Sequence, residues 1–217
     1  MKKNIIFFSN NDTIFTLPII LYLVKNLKSK FNIYIKLNKT SFKKKIKILL
    51  ILLLDGSIFN LFKYYSNKVS INKITDNRYT HLIQSEGNKR FEYGFSINYP
   101  KKIPSKKYKI YNFHLGNFVN QRGTFIFYYN LIKKWKTIDI TLHQIDSKFD
   151  NGPVLSIKKI DIIKKNCIDI ISEPLKNKKF YLDSIININN LKKIRKIKKG
   201  RLNNEPTFFN IFLSIFR

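Results

Sequence analysis

The 217-residue chain is 44% hydrophobic and 15% aromatic, which fits one domain with a sizeable core plus at most a small appendage. Its formal net charge is +29, yet only six of its 42 basic residues are arginine. Outside residues 43–45 and 192–199 the lysines are scattered, so the charge reads as compositional rather than as a nucleic-acid surface. Cys167 is the single cysteine, which excludes an internal disulfide framework and a cysteine-based metal site and suits a reducing cytoplasm.

Two lysines precede an apolar stretch at the start of the chain. Ser9-Asn10-Asn11-Asp12 interrupts it, and no small-residue cleavage site follows. The expectation is a strand over residues 4–9, a turn at 10–12 and a helix over 15–27, with Pro18 tolerated in the first turn. Residues 31–37 alternate as a second strand, and strand-helix-strand order predicts a right-handed crossover and a parallel sheet. Residues 43–62 are lysine-rich, then apolar, then broken at Asp55-Gly56. The run is shorter than the roughly 20 apolar residues a bilayer span needs. Two readings stand for it: a core-packing helix with a solvated start, or a basic amphipathic helix in weak contact with a membrane surface. A strand is expected over 79–85, a loop within 91–104, a strand over 108–113, a helix over 125–135 and a strand over 138–145. Beyond about residue 165 the pattern degrades, leaving a helix with a basic end over 180–197 and an aromatic tail over 206–217.

Chemistry concentrates in residues 110–155. Asn112 and His114 lie two apart in an apolar strand, so both point to one face. A glycine-bearing loop follows and ends in Arg122-Gly123, and a turn after the next strand carries Asp150-Asn151-Gly152-Pro153. An amide, an imidazole and a carboxylate at strand ends form a set suited to acyl-type transfer: oxyanion donor, proton mover and orienting charge. Thr141 and His143 also share a strand face; His143 reads either as a residue beside the site or, as favoured, as a structural histidine, and His81 as surface or structural.

At these residues the chain resembles the folate-dependent formyltransferases, whose pattern is Asn-x-His, a loop often ending in Arg-Gly, a Thr-x-His strand and an Asp-x-Gly turn. The resemblance covers residues 1–165. It implies a Rossmann-like α/β fold, with a mostly parallel sheet and helices on both faces, and a catalytic set of Asn112, His114 and Asp150. It implies 10-formyltetrahydrofolate as co-substrate, held by Phe95, Ser96, Ile97 and Asp146, and an amine acceptor contacted by Asn11, Arg122 and Gly123. Arg122 reads equally well as a group fixing the loop through backbone carbonyls. No metal is needed. Residues 1–165 are the expected catalytic domain, and 166–217 a helical, basic extension.

Two departures bear on the acceptor. Gly116-Asn117-Phe118-Val119 replaces the Ser-Leu-Leu-Pro of the resembled loop. Ser9-Asn10-Asn11-Asp12 stands where a glycine-rich phosphate cradle would be, which disfavours glycinamide ribonucleotide. An amino sugar on a nucleotide is the expected acceptor. Methionyl-tRNA or glycinamide ribonucleotide, and a non-enzymatic basic module binding nucleic acid or membrane, are the alternatives. The expected partners are the small-molecule amine and a second copy in a homodimer, without a stable nucleic-acid complex.

Overall fold

A computed structural model describes residues 2–214 apart from 77, 100, 105–106, 147–149, 195–196 and 198. The chain order is β1 (Lys3–Asn10), α1 (Thr16–Leu27), β2 (Phe31–Asn38), α2 (Phe42–Leu54), a 3-10 helix (Ser57–Leu61), α3 (Phe62–Tyr65), α4 (Ile71–Thr75) and β3 (Thr80–Leu82). It continues with β4 (Tyr93–Ile97), β5 (Lys109–Leu115), β6 (Arg122–Gly123), α5 (Ile126–Lys133), β7 (Thr137–Gln144) and β8 (Val154–Asp161). α6 (Cys167–Lys176), α7 (Lys178–Ile186), β9 (Leu202–Asn203) and α8 (Phe208–Leu213) complete it.

Seven strands form one sheet in the order β3-β2-β1-β4-β5-β7-β8. The first five are parallel, while β7 runs antiparallel to β5 and β8 antiparallel to β7. This is the mostly parallel α/β architecture expected from the strand-helix-strand start. The order turns at β1, where β2 and β3 extend one way and β4 and β5 the other. Such a switch point opens a crevice at the carboxyl ends of the strands.

Alternation along β1 divides the core. Ile5 and Phe7 face a layer built from α1, α4, α6 and α7, including Leu23, Ile74, Ile170 and Tyr181. Ile6 and Phe8 face Phe91, Ile103 and Ile110, with Tyr99 and Tyr108 against them. The loop stretches 83–92 and 98–108 supply that second layer and hold no helix among their described residues. Phe7 and Phe95 are fully buried, each worth about 2–3 kcal/mol of hydrophobic stabilisation. Residues 167–188, assigned by the sequence to an extension, pack into the same core through Ile170, Leu175, Tyr181, Ile185 and Ile188.

Several elements differ from expectation for local reasons. β4 lies in the stretch read as a loop. Gly94 is there because a Cβ would meet Tyr108 at 3.0 Å and Phe8 at 3.2 Å. α6 carries Pro174 in its last turn, a residue that reads as a helix break. α7 ends at Ile186, well short of 197, and residues 195–196 of that expected helix lie outside the described residues. The aromatic tail contains α8, capped by a reciprocal Thr207–Asn210 box.

Candidate active site

β5 ends at the crevice and delivers Asn112 and His114 to it. Its antiparallel neighbour β7 sets His143 directly across from Asn112, and Thr141 across from His114. Asp150 follows β7 on a tight turn with φ +43°, a left-handed conformation that aspartate tolerates better than most residues. Gly152 permits the turn to close, since a Cβ there would lie 1.7 Å from the Gln144 carbonyl oxygen.

The four side chains converge. His114 Nδ1 lies 3.6 Å from Asp150 Oδ2, and His143 Nε2 lies 3.6 Å from Asp150 Oδ1. Asn112 Nδ2 lies 3.1 Å from His143 Nε2. His114 is 7% exposed, His143 2% and Asp150 9%. Backbone partners assign the protons. His143 Nδ1 is 3.0 Å from the Gln144 carbonyl, which can only accept, so Nδ1 carries hydrogen. Nε2 then accepts from the Asn112 amide when the ring is neutral, and faces Asp150 Oδ1 as a donor when the ring is charged. His114 Nε2 likewise donates to the Gln121 carbonyl at 2.8 Å, leaving Nδ1 towards Asp150. Phe118 meets both imidazoles edge-on, at 4.8 Å from His143 and 6.1 Å from His114.

The Arg122-Gly123 segment braces the carboxylate. Gly123 N donates to Asp150 Oδ2 at 2.9 Å, and Arg122 Nε donates to the Asp150 carbonyl at 3.0 Å. Arg122 Nη1 donates to the Gly200 carbonyl at 2.6 Å. Of the two readings given for Arg122, the structure supplies the loop-fixing one, and its side chain is not among those lining the pocket. β6 pairs with β9, so residues 202–203 of the carboxyl-terminal part lie across this loop.

Burial alone would raise the Asp150 carboxyl. The His114 charge, the hydrogen bond and charge of His143, and the Gly123 N–H outweigh it and hold the group at about 2. A depressed carboxyl contributes stability above its unfolded value near 4 and loses it as pH falls from about 4 to 2. The contribution is about 2 kcal/mol. Urea unfolding should therefore find Asp150→Asn less stable than wild type by about that amount at pH 5, with the gap largely closed at pH 2. An equal gap at both pH values would show that the charge contributes nothing.

The set lines a pocket of about 630 Å³, within the size range of small-molecule sites. Asn11, Ser96, Ile97, Gly123 and Asp146 line it too. Phe95 does not. It is fully buried in the core, stacked on Tyr111 at 5.7 Å, because its strand alternation turns it away while Ser96 faces the crevice. His143, set aside as structural, sits within the site. Its cross-strand register with Asn112 is the signal that would have found it. His81 is exposed and stacks near Tyr34, far along the sheet order from the pocket.

The fold is that of several solved formyltransferases. The chain is similar in structure to an N-formyltransferase from Helicobacter canadensis solved with folinic acid and dTDP-3-aminofucose (TM-score 0.62, 16% identity, covering 99% of this chain and 79% of that one). It is similar to a 4-N formyltransferase from Francisella tularensis (0.60, 18%, 99% and 87%) and to a methionyl-tRNA formyltransferase from Clostridium thermocellum (0.55, 12%, 94% and 73%). No protein-family model matches the chain, and no curated protein matches it by sequence.

Proposed function

We propose that the protein transfers a formyl group from 10-formyltetrahydrofolate to the primary amine of an amino sugar, carried on a nucleotide. The observation that carries this reading is the convergence of Asn112, His114, His143 and Asp150 on one pocket at the switch point of the sheet. The pocket fits a folate: it has room for a drug-sized ligand, apolar walls such as Ile97 and Ile145, and a polar edge from Ser96 and Asp146. Ser96, Ile97 and Asp146 would hold the folate, and Asn11 and Gly123 would face the acceptor. The folate supplies an activated formyl carbon.

Each residue then has a defined task. Asn112 uses one N–H on His143 and has a second for the formyl oxygen as negative charge develops there. His143 fixes the orientation of that amide. His114, with an Nδ1 proton facing Asp150, supplies positive charge beside the same oxygen. Asp150 remains a carboxylate at neutral pH, so it orients His114 and a water that relays the amine proton, without needing to take that proton permanently. In the overall exchange the new C–N bond forms at the acceptor, the old one breaks at the folate nitrogen, and the proton lost by the amine balances the one gained by that nitrogen.

Lys44, Lys45, Lys101 and Lys102 also line the pocket and suit an anionic acceptor such as a nucleotide diphosphate. Burial pushes the Lys44 ammonium down, partly offset by Glu205. The Helicobacter enzyme, solved with folinic acid and dTDP-3-aminofucose, supports a sugar amine as the acceptor and a folate as the donor. The test is transfer to a panel of amino-sugar nucleotides and to charged methionyl-tRNA, read by mass, across a salt series. Sugar nucleotides should gain one formyl group with shallow salt dependence. Efficient transfer to tRNA, with a log-log slope near −0.7 to −0.9 for each of several phosphate contacts, would overturn the acceptor assignment.

A further inference from the structure

α2 buries Ile51 and Leu52 in the core and carries a second apolar face outside it. At about 100° per residue, Phe42, Leu49 and Leu53 fall on one line along the helix, with Leu50 beside them. That line faces solvent: Phe42 is 78% exposed and Leu53 52%. The opposite side holds Lys47, which is 6% exposed and reaches Glu205 Oε1 at 2.7 Å. Lys44 is half-buried beside the Phe125 ring. Lys43 remains exposed on one flank of the apolar line, while Lys45 and Leu49 on the other side reach the rim of the pocket.

Neighbouring elements also expose large apolar side chains. The 3-10 helix packs next to α2, with α3 against the 3-10 helix, and the two present Phe59 and Phe62, three residues apart and each almost four-fifths exposed. α8 packs on α2 and exposes Phe209, Phe212 and Leu213 at helical spacing. Single exposed apolar residues are ordinary, whereas a group of large aromatics and leucines marks an interaction surface.

The charge around the patch is one-sided. Residues 40–75 hold seven lysines (43, 44, 45, 47, 63, 68 and 73) and one acid, Asp55, whose Oδ2 accepts the Cys167 N–H. Glu205, the only acid in 199–214, is committed to Lys47. We propose that this face docks on an anionic lipid bilayer, with α2 lying in the interface plane, Phe42, Leu53, Phe59 and Phe62 among the acyl chains and Lys43 and Lys63 at the headgroups. At 13 residues α2 is about 20 Å long. No described helix is long and apolar enough to cross a membrane, so the contact is interfacial. A second copy fits this face poorly, because pairing would bring two +29 chains together and set the α2 lysines near their counterparts.

The test is sedimentation of the full chain with vesicles of phosphatidylcholine alone and of phosphatidylcholine with an equal share of phosphatidylglycerol. Binding should require the anionic lipid and weaken with salt. Because a +29 protein can adhere to anionic vesicles through charge alone, the deciding variant keeps the charge: Phe59→Ser with Phe62→Ser and Phe209→Ser. These residues are exposed, so melting should hold while partitioning falls by about tenfold or more. Undiminished binding by that variant overturns the proposal, as does equal binding to neutral vesicles or none to either. Self-association that the variant abolishes, without vesicle binding, also overturns it and makes a second copy the occupant.

Discussion

Replacing His114 by alanine, or Asp150 by asparagine, is expected to lower kcat for formyl transfer by about 10³-fold. Both groups act in the proposed mechanism on charge that appears only in the transition state, so the loss should fall on kcat rather than on KM. The two variants differ in how they fail. His114→Ala removes the positive charge beside the formyl oxygen and frees the Gln121 carbonyl. Asp150→Asn keeps the shape but removes the charge that both imidazoles face at 3.6 Å, and its amide can turn a donor towards the Gly123 N–H. Asn112→Ala should cost somewhat less, about 10²-fold, because one oxyanion donor is lost while the charges stay. Steady-state kinetics beside thermal unfolding would check this. Near-native kcat in either His114→Ala or Asp150→Asn would remove those residues from the chemistry. The double variant should lose little more than the worse single one, since residues that act as a unit are not additive.

What the sequence made legible follows from what leaves a periodic or side-chain signal. β1 is a short apolar run ended by a polar turn, α1 carries a helical pattern and β2 alternates, so these elements were readable and the parallel start followed from their order. Asn112 and His114 were found because alternation alone puts them on one face. β4 escaped because it is five residues long, contains Gly94 and adjoins Asn98 and Pro100, all turn signals; what makes it a strand is burial between β1 and β5. The antiparallel turn of β7 is a tertiary choice that no local pattern carries, and it brings His143 opposite Asn112. The partners that fix the imidazole protons are the Gln121 and Gln144 carbonyls, and every residue has a carbonyl, so side-chain chemistry could not announce them. The same holds for the 199–203 stretch. Its lysine and arginine suggested a charged tail, yet its backbone pairs with Arg122-Gly123 and receives the Arg122 guanidinium. α2 shows the reverse case. Its apolar pattern was clear, but with apolar residues on both sides a pattern does not say which side is wet, and here Ile51 and Leu52 are buried with Lys47 while Phe42 and Leu53 are exposed.

Gly116→Ala should be strongly damaging although Gly116 carries no reacting group. Gly116 has φ +141°, a conformation L side chains rarely adopt. An added Cβ would lie 2.2 Å from the Gln121 carbonyl oxygen and 2.8 Å from His114 Nε2, the two atoms whose hydrogen bond orients the imidazole. Gln121 has little room to retreat. Its side chain donates to the Thr137 carbonyl at 2.7 Å and accepts from Asn117 N at 3.1 Å, and its own N–H donates to the Asn117 carbonyl at 3.2 Å. Backbone strain and overpacking each cost about 1–3 kcal/mol, so a loss of about 3 kcal/mol or more is expected, roughly 10 °C in Tm for a chain of this size. Any molecules still folded should turn over slowly, because His114 can no longer keep both its Gln121 bond and its place beside Asp150. Gly56→Ala is the control. Gly56 also has a positive φ, +68°, but nothing lies within 4 Å of its added Cβ, so strain alone should cost about 1–2 kcal/mol and activity should be unchanged. If Gly116→Ala melts no lower than Gly56→Ala and keeps its kcat, the Gly116–Gln121–His114 contact is not what holds the imidazole in place.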